Sequence, residues 1–136
     1  APPGLRTLSG RGRAGADHRH LPPAAQAEVD GISALLPPLR QTLERVPELE
    51  PSAQDARRLM SKHLPGLIDS YVHVPAAYRG QQDAEGKSAD DRLVEALKAG
   101  RQALKDIGEK LARDDLMKFE THGRFIENRY TDKPID

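Results

Sequence analysis

From Leu93 to Lys133 the chain contains no proline, and its apolar residues keep a single helical rhythm: Leu93, Leu97, Gly100, Leu104, Ile107 and Leu111 recur in alternating steps of four and three. That spacing puts all six on one face of an α-helix. The stripe then slips by one residue and continues as Ala112, Leu116, Phe119, Gly123, Ile126 and Tyr130. A straight helix drifts off a strict seven-residue repeat, so the slip reads as the correction that keeps one face toward one partner. A bend near Gly108 or Arg113-Asp114-Asp115 is the competing reading. Ser88, three residues before Asp91, is a capping-box start, and Asp90 and Asp91 suit the positive end of a helix dipole. The expectation is one helix over residues 88–130.

On the outer side Asp106, Lys110, Asp114 and Lys118 form an i,i+4 ladder of alternating sign, with Lys105, Glu109 and Arg113 and the pair Glu120–Arg124 beside it. Each pair adds only a few tenths of a kcal/mol, and all favour the same helix. Gly100 and Gly123 sit on the stripe, where glycine costs about 1 kcal/mol relative to alanine. Their use there is to admit a neighbouring helix closely.

Size constrains how such a helix is covered. At 1.5 Å per residue it is about 60 Å long, whereas a compact chain of 136 residues has a radius of gyration near 14 Å and a diameter of about 37 Å. Either shorter helices line up along it, or its far half projects and is covered by another chain. The preferred reading is all-α, an elongated antiparallel helical bundle with one long C-terminal helix, and a dimer is the second choice.

Upstream, Ala25, Val29, Ile32, Leu36, Leu39, Leu43 and Val46 repeat the four-three rhythm, interrupted by Pro37 and Pro38. Two prolines remove two backbone donors and disfavour α geometry at Leu36, so helices are expected near 24–36 and 38–46, with a single kinked helix as the alternative. Ser52 and Asp55 suggest a helix start, giving 53–63, with Ala56, Met60 and His63/Leu64 inward. Pro65 then begins a helix over 65–73 that carries Leu67, Ile68, Tyr71 and Val72 and stops before Pro75. Residues 80–87 read as an exposed polar loop. Residues 1–23, rich in Gly, Pro and Arg, read as a flexible basic arm, leaving 24–136 as a single helical domain.

Several function classes lose support from composition. There is no cysteine, which removes thiolate nucleophiles, disulfides and Cys-based zinc sites and suits a cytoplasmic setting. Lys+Arg and Asp+Glu both number 21, so no global field draws the chain to nucleic acid or an anionic membrane. No apolar run approaches a membrane-spanning length, and no basic-then-apolar leader is present. The start at Ala1-Pro2-Pro3 without Met reads as that of a processed or trimmed product.

Candidate chemical groups are sparse. His18 and His20 form the one close histidine pair, without a third ligand at helical spacing, so no metal site is assigned. His63 and His73 are ten residues apart. Asp90-Asp91 and Asp114-Asp115 are sequence neighbours that diverge by about 100° on a helix, which prevents proton sharing. Ser52, Ser61, Ser70 and Ser88 lack a nucleophile elbow. Gly10-Arg11-Gly12 lacks the context of a phosphate loop. Arg57, Arg58 and Lys62 could receive a phosphate or an acidic partner, with a solvated face as the plainer reading. No catalytic, cofactor-binding or metal-binding residue is assigned.

The stretch from His63 to Pro75 (HLPGLIDSYVHVP), with Leu93, Leu97, Leu104, Ile107 and Leu111 after it, resembles the helical region of the bacterial XpaC-like family, over about residues 60–115. That family is named for hydrolysis of 5-bromo-4-chloroindolyl phosphate. The resemblance implies a phosphohydrolase or an accessory to one, with no catalytic residue carried over. The residues themselves favour a helical scaffold or interaction protein whose long helix meets another protein or a second copy of the chain. Nucleic-acid binding through the basic arm is the third reading.

Overall fold

The computed structural model describes residues 21–131, and the proposed basic arm falls almost wholly outside them, as do His18 and His20. Four α-helices account for most of the described chain, with no strand among those residues: α1 (Pro23–Glu44), α2 (Pro51–Arg58), α3 (Leu64–His73) and α4 (Ala89–Tyr130). A single π turn over Leu59–His63 joins α2 to α3, and a short 3₁₀ turn over Ala76–Tyr78 follows α3.

The break expected at Pro37 and Pro38 does not occur. α1 runs through both prolines as one 22-residue helix. They lie on the exposed face, while Leu36 and Leu39 on either side are buried. Packing of that stripe outweighs the loss of two donors on a side that water reaches. Pro23 occupies the first turn, where its missing N–H costs nothing.

The next two expected helices are also one rod. α2 starts earlier than Ser52 and Asp55 suggested: Glu50 is the cap, its carboxylate accepting from the Ser52 N–H at 3.2 Å and the Ala53 N–H at 2.8 Å, with Pro51 in the first turn. The rod then passes Pro65 by widening. The Leu64 N–H reaches back five residues to the Leu59 carbonyl, which makes room just ahead of a proline whose ring would clash with a regular α ladder. The wide turn also keeps Ala56, Met60, Leu64 and Ile68, spaced at successive fours, on one buried side. His63 is exposed.

α4 forms as expected, a 42-residue helix. Ser88 Oγ accepts from the Asp91 N–H, and the Asp91 carboxylate accepts from the Ser88 N–H, both at 3.1 Å. α1 runs in the same direction as α4: Glu28 meets Arg101 at 3.4 Å, Leu39 lies against Gly108, and Arg45 meets Asp115 at 3.5 Å. The α2–α3 rod runs the opposite way, with Glu50 by Lys110, Leu64 against Gly100 and Tyr71 bonded to Asp90.

The core is a single cluster in which Val29, Ile32 and Leu36 of α1, Met60, Leu64 and Ile68 of the middle rod, and Leu97 and Leu104 of α4 interlock. At Gly100 an added Cβ would lie 2.7 Å from a Leu64 methyl, so this glycine does admit its neighbour closely.

Candidate protein-interaction surface

Cover along α4 ends long before the helix does. Leu111 is 3% exposed and is the last buried residue of the chain's described part. Beyond it Leu116, Phe119, Ile126 and Tyr130 are 54%, 73%, 56% and 59% exposed. At 1.5 Å per residue the uncovered segment from Ala112 to Tyr130 is about 27 Å long. Short helices lining the whole rod, as expected, would bury these residues too, but beyond Leu111 no described residue is buried.

The slip in the stripe explains where the apolar side goes. Two and a half heptads accumulate about 50° of drift, but moving the stripe by one residue turns it by about 100°. The slip overcorrects. It carries Ala112, Leu116, Phe119, Gly123, Ile126 and Tyr130 away from the α2–α3 side and onto the flank that α1 covers lower down through Arg101 and Gly108. α1 stops at Glu44, and the Arg45–Asp115 pair marks its end against α4. Past that point the flank has no neighbour among the described residues. A Cβ at Gly123 would meet nothing within 4 Å.

Directly below the bare flank, α1 and α4 part to leave an apolar cavity of about 330 Å³ between Leu35, Pro38 and Leu39 on one side and Leu104, Gly108 and Ala112 on the other. Ala112 belongs to both features, as a wall of the cavity and as the first residue of the bare stripe. Met117 and Phe125 are also exposed but fall off the stripe.

Several of the other sequence candidates are engaged in contacts within the fold. Arg57 donates to the Leu43 carbonyl at 3.0 Å and the Glu48 carbonyl at 3.1 Å, closing the connector from α1. Arg58 pairs with Asp55 at 3.6 Å, so the basic trio does not converge on one point. Asp90 accepts from the Tyr71 hydroxyl, Asp91 caps α4, Asp114 meets Lys110 at 3.0 Å and Asp115 meets Arg45. Ser61 donates to the Arg57 carbonyl at 2.6 Å. His73 sits beside Asp69 on the surface. Among the described residues no group of three His, Asp or Glu is placed to hold a metal.

The loop at 80–87 is exposed, as its polar, glycine-containing sequence suggested, and it is held by its own hydrogen bonds. Asp83 accepts from the backbone N–H groups of Glu85 and Lys87 and from the Arg92 guanidinium. The Lys87 N–H, followed by Arg92, holds its carboxyl below the ordinary aspartate value. Gly86, at φ +79°, supplies the left-handed turn that closes this loop. At the opposite side of the corner Arg79 donates to the Val72 and Val74 carbonyls and lies 5.0 Å over the Tyr71 ring. Burial, then the hydrogen bond to Asp90, pushes the Tyr71 phenol up to about 12.

No helix among the described residues is long and apolar enough to cross a membrane. No family model, curated protein or solved structure matches this chain.

Proposed function

We propose that the chain is a helical interaction protein, in which a helical base holds α4 so that about five turns at its far end present an apolar flank to another protein surface. The observation that carries this reading is the mismatch on one helix: the apolar rhythm runs to Tyr130, whereas burial ends at Leu111. Isolated exposed apolar residues are ordinary, but an aligned row of them is the kind of surface that proteins cover. α4 is suited to the task because a rigid helix presents its side chains in fixed register without the ordering cost of a loop.

A photoreactive side chain placed at Phe119 tests this in cells that make the protein. Thr121 lies about 160° away round the helix and serves as the control. Specific protein adducts are expected from position 119 and not from 121. An equal yield from both positions, or none from either, removes the reading. Turnover of a chromogenic phosphate ester by the purified chain, with or without divalent metal, would instead support the phosphohydrolase reading that the sequence resemblance implies.

A further inference from the structure

We infer that the bare flank of α4 is covered by the same flank of a second copy of this chain, running antiparallel, in the register that sets Ala112 opposite the copy's Tyr130. This rests on the interaction reading above and names the partner.

The flank carries the four-three repeat of a coiled-coil seam, with Ala112, Phe119 and Ile126 at one set of core positions and Leu116, Gly123 and Tyr130 at the other. In a parallel, in-register pair each layer would join identical residues. Phe119 would face Phe119, and the next layer would hold two glycines. Such a seam alternates crowding with voids. Reversing one helix removes the problem. The layers become Ala112 with the copy's Tyr130, Leu116 with the copy's Ile126, and Phe119 with the copy's Gly123, each repeated by symmetry. In the outer and inner layers a ring meets a small residue, and between them two branched aliphatics meet. This gives Gly123 the close neighbour that it lacks within the chain.

Charge selects the same orientation and register. Residues flanking the seam are Arg113, Glu120 and Glu127 on one side and Asp115, His122 and Arg129 on the other. Antiparallel helices bring each side against its own counterpart, and this register sets Arg113 against the copy's Glu127 and Asp115 against the copy's Arg129. Symmetry repeats both opposite-charge pairs. Asp115 already holds Arg45 at 3.5 Å, so it would lie between two cations. Only Glu120, beside the two-fold axis, meets its own like charge. In a parallel pair Asp115 would instead face the copy's Glu120, a repulsion made twice. The two ends of the seam fit the base as well: because Ala112 also walls the cavity between α1 and α4, the copy's Tyr130 arrives at the mouth of that cavity.

The absence of cysteine makes the orientation directly readable, because each introduced thiol is unique. In the full chain E120C is expected to cross-link to itself with a short bis-maleimide. Y130C alone is not, because the two copies of residue 130 would lie about 27 Å apart along the axis. A mixture of A112C and Y130C chains is expected to give the mixed dimer. Self-cross-linking of Y130C overturns the antiparallel arrangement. Sedimentation of the unmodified chain should show a monomer–dimer equilibrium that shifts with concentration; a monomer up to about 1 mM overturns self-pairing. R113E should raise the dimer dissociation constant about tenfold, and adding E127R should restore it. Failure of that rescue overturns the register. These substitutions are on the exposed surface, so loss of pairing is separable from loss of fold by circular dichroism. Photo-adducts from position 119 that contain only other proteins would sink self-pairing while leaving the interaction reading intact.

Discussion

The two halves of α4 are made of similar material and meet different fates. Both carry a four-three apolar stripe, a glycine on that stripe and alternating charges on the outside, and both are helical without interruption. In the first half Leu93, Leu97, Gly100, Leu104 and Leu111 are buried by the helices packed against them, whereas in the second half no residue is buried. Helical pattern therefore says which face of a rod is to be covered and leaves open what covers it. That depends on where the neighbours stop, and here α1 ends at Glu44.

The contrast breaks most sharply under leucine truncation. Leu97, fully buried, should lose about 2–5 kcal/mol of folding stability as Leu97→Ala, read from urea unfolding. Leu116→Ala, measured at dilutions where chains are separate, should stay within about 0.5 kcal/mol. Comparable losses from the two would mean that the far half is packed within its own chain. The glycines give a finer test with opposite signs. Gly100→Ala forces a Cβ to within 2.7 Å of the buried Leu64 and should destabilise on balance, since overpacking costs about 1–3 kcal/mol against the about 1 kcal/mol that alanine gains in a helix. Gly123→Ala, with open space around it, should stabilise the separated chain by up to about 1 kcal/mol.

Alkaline pH gives the most local difference. Tyr71 has its folded phenol raised to about 12 from 10.0, so folding favours the protonated form. Its contribution is complete below pH 10 and is lost as pH rises toward 12. Hydrogen exchange across that range should rise first around Tyr71 and the start of α4, and Tyr71→Phe should remove this pH dependence. A loss of protection that starts at residues 112–130 would contradict the assignment.

Much of this was legible in the sequence. The Ser88–Asp91 box marked the start of α4, and the stripe residues buried in α1 are those its spacing picked out. Proline was the source of both errors of connectivity. Pro37 and Pro38 stop a helix only if nothing holds the turn on either side, and Leu36 and Leu39 do hold it. The cap of α2 was missed because a glutamate accepting N–H groups two and three residues on does not look like a Ser-x-x-Asp start. The exposed flank was visible as a pattern, but its exposure was not, since that depends on the length of a different helix. The roles of Arg57 and Asp83 were likewise hidden, because both reach backbone atoms that sequence spacing does not place.

The π turn before Pro65 behaves like a dislocation in a crystal row. The buried residues of α2 and α3 step by three, then by four three times, then by three, so the buried row keeps the average period of an α-helix across the wide turn. A wide turn of this kind takes up an extra residue locally, whereas one residue deleted within α4 would rotate everything beyond it by about 100°.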